Sequence, residues 1–200
     1  LISLVFLMAA ASKILLIDNN DSFTYNIIDL LRKLQCEGFG VIRSESLTID
    51  QLDDYTHLII SPGPGLPEDF PILKDIIAYA KDKERPLLGV CLGHQAICTY
   101  FGGEMIQLAE VIHGRQSTVK LEQHATLHEG LPEEIVVGRY HSWSIDQSTL
   151  PKQLKITGMT TDGCLMSIEH RSLPIYGVQY HPESFLTISG DVLFRNFIKL

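Results

Sequence analysis

Two rhythms of apolar and polar positions alternate through the first half of the chain. Residues 13–18 (KILLID), 57–61 (HLIIS) and 86–91 (PLLGVC) are short, nearly continuous apolar runs, and 39–43 is a further strand candidate. Runs of that length suit parallel strands buried on both faces. Between them the period lengthens. TYNIIDLLRKLQ carries Ile27, Leu30, Leu31 and Leu34 at helical spacing, with Asp21 and Ser22 as candidate caps and Gly38 as terminator. A second helix is predicted over 70–81. GHQAICTYFGG reads as a third, closed by Gly102 and Gly103.

After Gly103 the pattern changes. Short β-like runs occupy 104–108, 117–121, 135–140, 154–159, 164–170 and 175–180, and a last helix covers 190–199. Strand–helix alternation followed by consecutive strands predicts an α/β domain. It has a mostly parallel central sheet with helices on both faces and an antiparallel β segment added near one edge. No linker, repeat or heptad run divides 13–200, so one domain is expected there.

The 200 residues suffice for a sizeable core, with roughly 70% of the unfolded chain's surface buried on folding. A net charge of −8 without a Lys/Arg cluster argues against nucleic acid as the main partner. The four cysteines form no C-x-x-C pair and no zinc-type spacing. Reduced thiols and a cytoplasmic location are therefore expected, with no metal site. Residues 1–12 (LISLVFLMAAAS) are almost wholly apolar, but they lack a basic leading region and are too short to span a bilayer. They read as an N-terminal extension or a tag remnant, with Met8 a candidate native start.

The sharpest chemical signal is Gly89-Val90-Cys91-Leu92-Gly93-His94-Gln95. A buried strand ends at Cys91 and a helix begins at once, which is the nucleophile-elbow layout with Cys in place of Ser. The helix N-terminus favours negative charge there and so favours a thiolate. Cys98, by contrast, reads as a buried structural thiol. A nucleophilic Cys needs a base and a group to orient it. Tyr180-His181-Pro182-Glu183 supplies both, because residues i and i+2 of an extended segment project to one side. Glu183 can hold one imidazole nitrogen of His181 and leave the other for Cys91. His124, His128 and His141 lack such a setting and read as surface or structural. Ser61-Pro62-Gly63-Pro64-Gly65 follows a strand and belongs at the same sheet edge. Its expected job is to pair the Gly63 N–H with the Leu92 N–H as an oxyanion hole, each donor lowering the barrier by about 2.7–4 kcal/mol.

G-V-C-L-G-H-Q, Y-H-P-E-S and S-P-G-P-G, in this order, resemble the class I (triad-type) glutamine amidotransferases. Residues 18–26 (DNNDSFTYN) and Arg139-Tyr140-His141-Ser142 narrow the resemblance to component II of anthranilate and aminodeoxychorismate synthases. The resemblance covers roughly 13–200 and implies a single flavodoxin-like domain. It makes Cys91, His181 and Glu183 the catalytic triad, with Gly63 and Gly65 holding substrate and oxyanion. Gln95 would contact the α-amino-acid end of L-glutamine, and Ser142 and Trp143 would bind it through backbone. Leu is common where Trp143 stands, and Tyr where Asn20 stands. His113-Gly114-Arg115-Gln116-Ser117 is similar to a family stretch facing the synthase subunit.

No cofactor is implied for this half-reaction. The implied partner is a chorismate-using synthase subunit (component I) that receives the ammonia, with anthranilate favoured over aminodeoxychorismate as its product. Two alternatives fit less well. Another cysteine hydrolase on this scaffold would lack S-P-G-P-G and the late Y-H-P-E. A binding module that had lost catalysis would show a replaced triad residue.

Overall fold

The computed structural model describes residues 12–36 and 38–200, so the expectation for 1–12 lies, Ser12 aside, outside the described residues. In chain order the elements are β1 (Ile14–Asp18), α1 (Thr24–Lys33), β2 (Phe39–Arg43), β3 (His57–Ile60), α2 (Ile72–Asp82), β4 (Leu87–Val90) and α3 (Leu92–Tyr100). There follow β5 (Met105–Leu121), β6 (Glu134–Ile145), β7 (Leu154–Thr160), β8 (Leu165–His170), β9 (Ile175–Val178) and α4 (Gly190–Ile198). All the strands belong to one sheet, ordered β2-β1-β3-β4-β9-β8-β7-β5-β6. The first five in that order are mutually parallel. From β9 outward every pairing is antiparallel.

The apolar runs bury both faces of the parallel half. Along β1, Ile14 and Leu16 join a core with Ile27 and Leu31 of α1 and Phe194 and Phe197 of α4. The alternate residues Leu15 and Ile17 join the opposite core with Leu73, Ile76 and Ile77 of α2 and Ala96 and Ile97 of α3. One strand thus feeds two helical layers through the period-two alternation of its side chains. Because β1, β3, β4 and β9 run the same way, the loops after them emerge at a single sheet edge. In open α/β sheets that edge is where ligands bind.

Several boundaries differ from the sequence reading. Ser22 does not cap α1. Phe23 holds the cap position without a side-chain bond, and Asp21 Oδ1 accepts the Phe23 N–H (2.8 Å). Asp18 Oδ1 organises the same turn, accepting the Asn20 N–H (2.9 Å) and the Thr24 hydroxyl (2.7 Å). The helix ends well before Gly38. Gln35 takes the left-handed conformation (φ 58°), and the Cys36 N–H reaches back to the Leu31 carbonyl (3.1 Å), a Schellman closure without glycine. Gly102 (φ 104°) closes α3 as expected, with the Gly103 N–H on Cys98 O (2.9 Å).

The largest departure lies in the antiparallel segment. Runs 104–108 and 117–121 belong to one continuous strand, β5, and β6 extends past Tyr140 to Ile145. Most of β5 is exposed or half-buried, so no alternating pattern marks it. Its register with β6 shifts between Gln107 and Ile112 and again between His113 and Arg115. Among the described residues no helix is long and apolar enough to cross a membrane.

Candidate active site

Cys91 follows β4 directly, and its N–H bonds the Val178 carbonyl of β9 (2.8 Å). Its backbone is strained, at φ 51° and ψ −97°, which costs a non-glycine residue on the order of 1–3 kcal/mol. The flanking glycines make the turn possible. A Cβ on Gly89 would strike the Gly93 carbonyl, and one on Gly93 would lie 2.7 Å from the Ile60 carbonyl oxygen. Helix α3 therefore sits hard against β3 and β4 at its first turn. Leu92 is its first residue, and an N–H at that position precedes any intrahelical acceptor.

His181 is fixed from several sides. Its N–H bonds the Gly138 carbonyl of β6 (3.0 Å). Its own carbonyl accepts the Thr187 hydroxyl (2.7 Å), whose oxygen accepts the Gly138 N–H (2.9 Å). The imidazole packs against Phe23 and Tyr140, with centroids 4.5 and 5.0 Å away. Nδ1 meets Glu183 Oε1 at 2.8 Å, and the two side chains are only 3% and 0% exposed. Nε2 is buried and has no hydrogen-bond partner, and the Cys91 sulfur acts on the charge of the imidazole. Burial alone would push the imidazole down. The Glu183 carboxylate and the Cys91 sulfur outweigh that and hold it well above its ordinary value. Gly190, at the start of α4, lies against the Pro182 backbone so closely that a Cβ would overlap the Pro182 carbonyl, which sets the path of the His-Pro-Glu segment.

The Ser61–Gly65 loop is tied to the loop after β1. The Asn19 N–H bonds Ser61 Oγ (2.9 Å) and Asn19 Nδ2 bonds the Ser61 carbonyl (3.0 Å). Gly63 rests on the Leu92 side chain and on Asn19, whose Cβ would lie 2.8 Å from an added methyl. The two expected oxyanion donors, Gly63 and Leu92, are thus neighbours. Gly65 (φ 70°) sits farther out, exposed and against the Asp69 carboxylate, which accepts the Leu66 N–H (2.8 Å). Asn20 is exposed with φ 62°, a conformation Asn tolerates.

Gln95 is buried one turn into α3. Its Nε2 donates to the Trp143 carbonyl (3.1 Å) and to Gln179 Oε1 (3.1 Å), leaving its Oε1 as the group available to a ligand. Ser142 and Trp143 are half-buried on β6. The Trp143 carbonyl also accepts from His141 Nδ1 (2.8 Å), and His141 Nε2 accepts from Arg139 Nε (3.0 Å). His141 is therefore structural. Burial pushes it down to about 4, so it is neutral near pH 7. His128 is buried and His124 exposed. Cys98 is buried, and burial pushes its thiol far up. Arg115 pairs with Glu110 on the exposed part of β5 (2.6 Å). One buried residue of this cluster, Gln179, escaped the sequence reading, and Arg139, also buried, entered it only as part of a motif with no role of its own. The available signal for Gln179 was an amide set between apolar Val178 and Tyr180 at a strand end, next to the catalytic-looking histidine.

This arrangement brings together a strained cysteine at a helix N-terminus, an imidazole backed by a carboxylate, and a glycine loop packed on the first residue of that helix. Those are the parts needed for acyl transfer through a thioester. The family model described as glutamine amidotransferase class-I matches residues 15–200. A Bacillus subtilis protein named aminodeoxychorismate/anthranilate synthase component 2 is 42% identical over 188 residues, covering 93% of this chain and 95% of that one. A Cyanophora paradoxa protein named anthranilate synthase component 2 is also 42% identical over 188 residues, covering 92% and 97%. A solved protein of Thermoplasma acidophilum matches with a TM-score of 0.85 at 27% identity, covering 96% of this chain and 94% of that one. With that agreement over nearly its whole length, the chain belongs to the class-I glutamine amidotransferases.

Proposed function

We propose that this chain is the glutamine-hydrolysing subunit, component II, of anthranilate synthase, with Cys91, His181 and Glu183 as its catalytic triad. The observation that carries the reading is the buried His181–Glu183 pair at 2.8 Å, set beside a cysteine in a strained strand-to-helix turn. The Cys91 thiolate attacks the side-chain amide carbon of L-glutamine. A carbon–sulfur bond forms and the carbonyl electrons move onto oxygen, held by the Gly63 and Leu92 N–H groups. The intermediate collapses, the carbon–nitrogen bond breaks, and the departing nitrogen takes a proton from His181 Nε2 to leave as ammonia. Water then gives a proton to His181 Nε2 and attacks the thioester carbon. The carbon–sulfur bond breaks, releasing glutamate and restoring the thiolate and the imidazolium. Gln95 Oε1 accepts from the α-ammonium of the substrate, and the Ser142–Trp143 backbone and Gly65 border the same site. No cofactor takes part in these steps.

The ammonia passes to a chorismate-using synthase subunit. Support for docking near the triad comes from Phe185 and Ile188, which are 85% and 83% exposed beside Glu183, and from Tyr25 on α1 at 73%. Phe185 and Ile188 line a groove of about 580 Å³ that runs between α1 and α4 and includes Glu183. Large exposed apolar residues gathered at one place favour a protein interface. The free thiols of all four cysteines support a cytoplasmic location. The second reading is the aminodeoxychorismate synthase subunit, or one shared by both synthases, which the double name of the Bacillus subtilis relative favours.

The test is glutamate release from L-glutamine, with the chain alone and then with each candidate chorismate-using partner. The expected result is stimulation by the cognate partner together with its aminated product. Cys91→Ala should abolish glutamine-dependent synthesis and leave ammonium-dependent synthesis intact. Glutamine-dependent synthesis by Cys91→Ala would overturn the triad. Stimulation by the aminodeoxychorismate partner alone would replace the first reading with the second.

A further inference from the structure

We propose that Gln179 donates an amide N–H to the Cys91 sulfur, and that a buried chain of side chains fixed in direction holds that donor in place. Gln179 is fully buried immediately after β9. The β4–β9 register pairs Val90 with Val178, so the next residues, Cys91 and Gln179, lie side by side where the two parallel strands end. Gln179 Nε2 is 3.5 Å from Cys91 Sγ.

The direction of every bond in the chain follows from chemistry. A guanidinium only donates, so the Arg139 Nε contact makes His141 Nε2 the acceptor and places the imidazole hydrogen on Nδ1, facing the Trp143 carbonyl. A carbonyl only accepts, so the Gln95 atom at 3.1 Å from the Trp143 oxygen is its amide nitrogen. That nitrogen is also 3.1 Å from Gln179, which must therefore present its oxygen there. The remaining end of Gln179, facing the sulfur, is then its NH₂. Flipping Gln179 would set two amide nitrogens against each other. Arg139 is itself buried and anchored on Ser117 Oγ (3.2 Å).

A fixed donor aimed at sulfur stabilises a thiolate more than a thiol, and it holds the sulfur in one orientation. This rests on Cys91 being the nucleophile. The charged or titratable groups facing Cys91 are His181 and, through it, Glu183. His94 and His141, the nearby imidazoles, are pushed by burial down to about 3 and about 4, and they stay neutral across the neutral and alkaline range.

The test is the rate of Cys91 alkylation by iodoacetamide, a small reagent that needs no glutamine pocket. It is followed from about pH 6 to pH 10 on the full chain, with peptide mass separating Cys91 from Cys36, Cys98 and Cys164. Gln179→Met keeps the volume and removes the donor. Alkylation near pH 7 should fall about three- to tenfold, the range expected for one such hydrogen bond. The rates should converge with wild type at the alkaline end of that range. Gln95→Met, which frees Gln179 to rotate, should shift the rate in the same direction by less, and it carries the test if Gln179→Met does not fold. A wild-type rate at neutral pH, or a loss of equal size at every pH, would overturn the proposal. A wild-type Cys91 that L-glutamine does not protect from alkylation would instead overturn the glutamine-site reading, whatever the Gln179 variant does.

Discussion

Glu183→Gln is the most informative single change to the proposed triad. The variant keeps shape and volume and deletes one charge from a pair in which neither side chain is more than 3% exposed. Removing one member of a buried ion pair commonly costs about 3–5 kcal/mol, because the other charge is left without compensation. An amide next to Nδ1 can also donate, which favours the tautomer with its hydrogen on Nε2 and removes the base facing Cys91. The equivalent change in a serine triad lowers kcat by about 10⁴. A fall of roughly 10²–10⁴ in partner-stimulated glutamate release is expected here.

The stability cost carries a pH signature of fixed sign. Folded His181 binds its proton more tightly than an unfolded histidine does, chiefly through Glu183 acting against burial. Such a pair contributes stability that is fully present below the unfolded value, about 6.5. It is lost progressively as the pH rises through the folded value. Urea unfolding of the wild type and of Glu183→Gln should therefore differ more at about pH 6 than at about pH 9. Placing both in a Cys91→Ala background removes the sulfur's share, and the nearby His141 is neutral throughout. A cost equal at the two pH values, or glutamate release within tenfold of wild type, would refute the assignment of Glu183 as the partner that charges His181.

Three further outcomes follow from local geometry. Cys91→Gly and Cys91→Ala both lack the sulfur, but only glycine relaxes at φ 51°; the glycine variant should be the more stable of the two in urea by about 1 kcal/mol, while both are inactive with glutamine. Gly93→Ala puts a methyl 2.7 Å from the Ile60 carbonyl oxygen; it should cost about 1–3 kcal/mol in unfolding free energy and lower glutaminase activity by shifting the elbow, and an unchanged unfolding curve would contradict the packing described. Gln35→Gly, at an exposed left-handed helix end (φ 58°), should raise stability by about 1 kcal/mol, with no change in activity.

The parallel half of the sheet was legible because each buried strand is an apolar run, and because the chemistry sits where those runs stop. Cys91 ends one such run, Ser61 ends another and His181 follows a third, so one inference about strand direction places all three at the same edge. The β5–β6 hairpin offered no such signal. Its residues from Gln107 to Gln116 are exposed or half-buried, and without a buried face no alternation distinguishes strand from loop. The end of α1 was misplaced at Gly38 because propensity points to glycine, whereas the hydrogen bonds to Leu31 and Arg32 close the helix around Gln35.

Gln179 shows a different limit. Its partners, Gln95 and Cys91, lie 84 and 88 residues away in sequence. Contacts at that separation depend on β4 pairing with β9 rather than with any of the intervening strands. Strand order in an α/β sheet is a choice among topologies, and hydrophobic periodicity does not encode it. Once the Val90–Val178 register is known, the amide beside the sulfur follows from parallel pairing alone. A residue can therefore be invisible as a motif and still be dictated by the fold, and the alkylation profile of Gln179→Met tests that dictation at the reacting atom.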